Sequence, residues 1–364
     1  MPETSEYDDV LFIEAQLTDD PTIIPYVIIS KTLPLTTQDS EPVPRSSAMI
    51  SGASVIIQCD DGNDYLFSET DPGRYSPVDP LFIGQIGLSY KLSVLYDEET
   101  YESYYEILSA SPPVDSLTEK AVREKTTDTG DPVYGLRFFA NTHDQESEPS
   151  YYRWMLDATY TYIAPLFSTH RWIDNQVVFF ENSHLRKCYK DKNLYGIYVS
   201  NTEGLERNVI SDAPLHFESQ YGDELSGMYC LHAKQLKISE RCYKFWDDLS
   251  KLIYETGGLY ESQPFRIKGN IECISDPGIN IIGVFEVAGV SERRDYFPMP
   301  TEFDIVNLIC SLEEVGSEEL PWEDLDDGAF LQEGEPGAFS TGKPKCFDCQ
   351  ERGGTLDKPP FWEY

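Results

Sequence analysis

The stretch "ASVIIQCDDGNDYLFSE" (Ala53–Glu69) decides the reading of the first third of the chain. Two runs rich in β-branched and aromatic residues, Ala53–Cys59 and Tyr65–Glu69, flank "DDGND". Asp-Gly between such runs predicts a hairpin, because glycine accepts the positive φ that a tight turn needs. Asp60, Asp61, Asn63 and Asp64 could mimic a calcium loop, but the twelve-residue spacing and the closing glutamate are missing, so a turn is expected. Upstream, "VLFIEAQLT" (Val10–Thr18) and "IIPYVIISK" (Ile23–Lys31) read as strands around Asp19-Asp20-Pro21. Downstream, "YKLSVLY" (Tyr90–Tyr96) puts Tyr90, Leu92, Val94 and Tyr96 on one face and Lys91 and Ser93 on the other. "ESYYEILS" (Glu102–Ser109) follows an acidic turn. About seven short strands at this spacing predict a Greek-key β-sandwich.

"SASPPVDSLTEK" (Ser109–Lys120) is a Pro/Ser-rich break. It suggests an Ig-like or regulatory-type sandwich over residues 1–112 and a larger β-rich domain over 113–364, so the expected class is mainly β with a minor α contribution. In the second part "GLRFFAN" (Gly135–Asn141), "YYRWMLDATYTYIAPLF" (Tyr151–Phe167), "QVVFF" (Gln176–Phe180) and "GMYCLHAKQLKIS" (Gly227–Ser239) read as strands, the last with Tyr229, Leu231 and Ala233 on one face. One amphipathic helix is expected near 239–256. Ser239 caps it, Cys242, Phe245, Trp246, Leu249, Leu252 and Ile253 form a one-sided core stripe, and Gly257-Gly258 stops it. "GNIECIS" and "GINIIGVFEVAGVSERRDYF" then read as two strands around the turn Asp276-Pro277-Gly278.

Sixty-four acidic residues against 28 basic ones give a net charge of −36. Such a field repels phosphate backbones, so no nucleic-acid partner is expected. No run approaches the ~18 consecutive apolar residues of a membrane span. Ten acids and no base fall between Glu313 and Glu335, which predicts a solvated, extended loop. Within it Asp324, Asp326 and Asp327 are the weak candidates for a calcium site.

The tail carries "CFDCQERGGTLDKPPFW" (Cys346–Trp362). A redox Cys-x-x-Cys normally opens a helix, whereas this one follows the acidic loop and precedes Gly353-Gly354 and Pro359-Pro360. A structural zinc site wants a second close pair, and the chain has none. The expectation is a covalent clasp: one or both cysteines pair upstream, with Phe361 and Trp362 plugging an apolar gap. A long closed loop makes such a link worth on the order of 3–5 kcal/mol. Among the eight cysteines, the candidates for disulfides are Cys188, Cys230, Cys273, Cys310, Cys346 and Cys349, with the pairing left open. An even count in a loop-rich β protein suits an oxidising compartment. "MPETSEYDDV" shows no secretion signal, so the chain is either cytosolic or a leader has been removed, and the cysteines favour the second.

No Gly-x-Ser-x-Gly, His-Glu-x-x-His, P-loop or dinucleotide fingerprint is present, and the five histidines lie in separate segments without ligand spacing. No catalytic residue, enzyme activity or cofactor is expected. Two alternatives stay open: a surface hydrolase with a glycosidase-like carboxylate pair, and a calcium-stabilised adhesion module.

Taken in order, "VLFIEAQLTDDPTIIPYVIISKT", "ISGASVIIQCDDGNDYLFSETDPGRY", "YKLSVLYDEETYES", "YYRW", "YKFWDDLSKLIYETGGLYESQPFRIKGNI", "GVFEVAGVSERRDYF" and the closing Cys-x-x-Cys block resemble a family of Bacteroidota surface lipoproteins, domain-of-unknown-function family 4249. "SGASVIIQ…YLFSE…GRY" also looks like the small β-sandwich that accompanies carboxypeptidases and TonB-dependent receptors. The resemblance implies a cell-surface location in the outer membrane and a TonB-dependent receptor as partner. It also implies a lipid anchor on a cysteine upstream of residue 1, and a role in nutrient uptake.

Overall fold

In the computed structural model, which describes residues 10–31, 48–125, 131–255, 267–306 and 310–364, the protein is mainly β with one α-helix among the described residues. The first strands are β1 (Leu11–Thr18), β2 (Tyr26–Lys31), β3 (Ser54–Cys59), β4 (Asp64–Asp71), β5 (Arg74–Pro77), β6 (Ser89–Tyr96), β7 (Glu99–Ser103) and β8 (Glu106–Ile107). The hairpin expected at Asp-Gly is β3–β4, with Val55 opposite Phe67 and Gly62 at φ 91°. Asp61 accepts the Asn63 amide at 2.9 Å, so the acidic turn is an Asx turn. β3, β4 and β5 form a meander and β6 returns beside β3, which is the Greek-key order. Tyr90, Leu92 and Val94 point into the core as their alternation requires, while Tyr96 packs at its rim.

The chain continues through β9 (Val114–Lys125), β10 (Pro132–His143), β11 (Tyr151–Ile163), β12 (His170–Ile173), β13 (Gln176–Phe179), β14 (Lys187–Asn201), β15 (Val209–Ser219), β16 (Tyr229–Ile238), α1 (Glu240–Glu255), β17 (Ile271–Cys273) and β18 (Ile281–Phe297). β14, β11, β16 and the end of β18 lie side by side. They face the three-stranded sheet β15-β10-β9 across a core of Trp154, Tyr160, Tyr162, Phe138, Tyr229 and Leu231. This second sandwich buries Tyr229, Leu231 and Ala233 on one face, as their spacing predicts.

β18 belongs to both sandwiches. Ile281–Ala288 runs parallel to β1, and Gly289–Tyr296 and Phe297 continue antiparallel to β16. β17 adds to β7, so residues well beyond the proline-rich break complete the N-terminal sheet. Buried Asn270 ties this return in place. Its Nδ2 donates to the Phe285 carbonyl and to Glu106 Oε1, both at 2.8 Å, and its Oδ1 accepts the Phe285 amide at 2.7 Å.

The helix cap falls where the sequence puts it, one residue before α1: the Ser239 hydroxyl accepts the Cys242 amide at 3.3 Å. Cys242, Phe245 and Trp246 are buried, Leu249 and Leu252 pack beside them, and Ile253 is exposed. The glycine stop at 257–258 lies outside the described residues. α1 covers Phe12 of β1, Val284 and Ala288 of β18, and Leu236 and Ile238 of β16. β1 is therefore enclosed on both faces, with Ile13 and Leu17 in the N-terminal core and Phe12 under the helix.

A polar knot sits at this junction. Glu286 accepts hydrogen bonds from Arg153 Nη2 (2.7 Å) and Nε (2.8 Å), Gln16 Nε2 (2.8 Å) and Trp246 Nε1 (2.8 Å). Arg153 lies 4.7 Å from the Trp246 ring. Burial opposes the ionised carboxyl, but the Arg153 guanidinium and these donors outweigh it and hold its pKa below the usual range. One carboxylate thus joins β1, β11, β18 and α1.

Candidate functional site

The acidic stretch corrects the expectation of an extended loop. It contributes β19 (Glu313–Glu314) and β20 (Phe330–Glu333), which with β21 (Phe339–Thr341) complete a five-stranded sheet ordered β13-β12-β20-β21-β19. Repulsion among the acids is overcome by a small apolar core of Phe330, Phe347, Leu166 and Phe180 around the Cys310–Cys346 bridge. The β12–β13 hairpin turns through Asp174 (φ 48°) and Asn175 (φ 59°), a two-residue turn that matches strand twist.

The clasp is double. Cys349 bonds Cys188 at the start of β14 and Cys346 bonds Cys310, with sequence separations of 161 and 36. Two other disulfide candidates are corrected: Cys230 and Cys273 are buried free thiols, as are Cys59 and Cys242. Cys230 is a small core residue beneath Trp362, and burial pushes its thiol up to about 11. Trp362 fills the expected gap, 5.2 Å from the Tyr189 ring and 5.4 Å from the Tyr296 ring. Phe361 stays at the surface, where Arg294 stacks on it at 4.1 Å.

Both tail glycines have a reason. Gly353 closes a short 3-10 turn at φ 79°. A Cβ on Gly354 would stand 2.6 Å from Tyr162 Oη and 2.7 Å from the Cys188 Cβ. Around them, Lys190 Nζ donates to the Arg352 carbonyl at 3.0 Å, Tyr162 Oη donates to the Cys349 carbonyl, and Arg352 pairs with Asp223.

Carboxylates gather where bases are buried. Lys192 Nζ holds Glu218 at 2.9 Å and Glu224 at 3.0 Å, and Lys237 Nζ holds Asp144 at 2.8 Å and Glu146 at 2.7 Å. His232 stands between Asp157 (2.8 Å) and Glu292 (3.0 Å). Burial raises the Glu218 carboxyl, but His216 and Lys192 reverse that and keep it low. Burial also acts against Asp144, yet hydrogen bonds from Lys237, the Glu146 amide and Ser150 bring it down to about 2. For these two carboxyls the shift is opposite to that of a glycosidase acid, which is raised toward neutral pH. The remaining histidines are surface or packing residues: His143 meets Asp115, while His170 and His184 lie against the rings of Phe179 and Phe180.

Asp324, Asp326 and Asp327 do not converge. Asp327 Oδ1 accepts the Asp174 amide at 2.9 Å, and no group of three metal-competent side chains exists among the described residues. These aspartates instead line a cavity of about 400 Å³ beside β12 and β20, together with Arg171, Glu313, Lys343 and Glu351. Sequence reading missed Arg171. Its only signal was a lone base between two aromatic residues.

No helix among the described residues is long and apolar enough to cross a membrane. No curated protein matches the chain. A family model described as "Domain of unknown function (DUF4249)" matches residues 1–294, from the first strand through most of β18, and stops short of the disulfide-bearing tail. The chain belongs to the DUF4249 family.

Proposed function

We propose that the protein is a non-enzymatic lipoprotein of the outer-membrane surface that associates with a TonB-dependent receptor and helps to capture or retain a nutrient. The observation that carries this reading is the doubly bridged tail. Disulfides closing long loops persist in oxidising compartments and are rare in the cytosol. The acidic, strand-built body and the resemblance to surface lipoproteins support the same location, and acylation upstream of residue 1 would tether a body that does not itself enter the bilayer. Buried carboxylates neutralised by shared bases suit a binding scaffold better than acid–base chemistry.

Affinity isolation of the lipidated protein from native outer membranes tests the partnership. Co-isolation of a TonB-dependent receptor at a fixed ratio is expected. Recovery of the protein without any receptor would reject it.

A further inference from the structure

The cavity beside β12 and β20 is lined by two bases that form no ion pair with its carboxylates among the described residues. Lys192, Lys237 and His232 each hold two carboxylates, as expected where bases are scarce. Arg171 faces an acid-lined cavity and holds none. Its guanidinium is fixed between two rings, 4.5 Å from the centroid of Phe180 and 4.1 Å from that of Phe330. Its Nε is buried without a hydrogen-bond partner, and no described residue accepts from its side chain. Lys343 lines the same cavity, also outside any ion pair among the described residues. Five carboxylates complete the lining, among them Glu313, Asp324 and Asp326. Charges of both signs therefore share one cavity, and none is neutralised across it.

A cavity of about 400 Å³ falls in the size range of small-ligand sites. Five acids against two bases favour a ligand of net positive charge. An arginine held flat by stacking offers its fork to a planar carboxylate. We propose that this cavity binds a cationic amino acid, free or as part of a short peptide. The ligand's carboxylate lies on Arg171, and its ammonium groups face Asp324, Asp326 and Glu313. The site deepens the nutrient-retention reading and rests on it for its biological role, whereas the binding itself needs no receptor.

Calorimetric titration of the purified full chain tests the site. L-Lysine is the first probe, and cadaverine, which keeps the side-chain cation and lacks the carboxylate, is the second. Saturable one-to-one binding of lysine is expected, with cadaverine at least about tenfold weaker. Arg171→Lys keeps the charge but loses the fork, and Asp326→Asn removes one acid at the surface. Each should weaken lysine binding several-fold, and for the exposed Asp326 the substitution should leave the unfolding midpoint unchanged. Absence of saturable lysine binding, or cadaverine binding as tightly as lysine, overturns the proposal. That failure would leave the receptor partnership standing, because no receptor enters the titration.

Discussion

Gly354 shows how narrowly single positions constrain the tail. A methyl group there would press on Tyr162 Oη and on the Cβ of Cys188, and the disulfide leaves Cys188 little room to give way. Gly354→Ala is expected to cost about 1–3 kcal/mol, the usual range for overpacking, read as a lowered midpoint in denaturant unfolding. An unchanged midpoint would mean that the tail does not lie against β14. Asp144 carries a second prediction. Its folded pKa, about 2, lies below the ordinary value of 3.8. The stabilisation is therefore complete above pH ~4 and is lost as pH falls toward 2, a contribution of about 1–2 kcal/mol once solvent screening is allowed for. Asp144→Asn should unfold more easily at pH 7 and lose less stability than the wild type between pH 4 and pH 2. Parallel acid-unfolding curves for the two proteins would contradict this.

Among the elements, the bridges differ by the length of chain they close. The loop-entropy relation gives about 5 kcal/mol for the separation of 161 and about 4 kcal/mol for that of 36. Replacing Cys188 and Cys349 by alanine should therefore destabilise the protein more than replacing Cys310 and Cys346, a ranking that paired chemical-denaturation curves measure directly. The reverse order would point to residual structure in the unfolded acidic segment. The helix and the hairpins were legible because their signals are local: Ser239 with an apolar period, and Asp-Gly between β-branched runs. The clasp was legible as a clasp because Cys346 and Cys349 lie on no α-helix, but its partners were not. Cys188 and Cys310 lie far along the chain or across the acidic segment, and a buried thiol such as Cys230 has the same letter as a half-cystine. The acidic strands were hidden for a different reason. Ten like charges dominate the local pattern, while Phe330 and Leu331 meet their apolar partners only through contacts with distant segments.

For the whole molecule, β18 is the element that makes one body of two sandwiches, and its sequence announces a strand without naming its neighbours. Burial on both faces follows from α1 on one side and the N-terminal core on the other, with Glu286 pinning the junction. The acid excess shapes the same scale. With 64 acids to 28 bases, Lys192 and Lys237 each hold two carboxylates, whereas Arg171 lines an acid-rich cavity outside any ion pair among the described residues.

The proposed location and partnership, like the tail architecture, depend on an oxidised body whose tail is bonded back onto it. Alkylation under denaturing, non-reducing conditions, followed by mass spectrometry of material from the native compartment, tests that claim most directly. Four thiols should be modified, at Cys59, Cys230, Cys242 and Cys273, with linked peptides joining Cys188 to Cys349 and Cys310 to Cys346. Modification of all eight cysteines would contradict it.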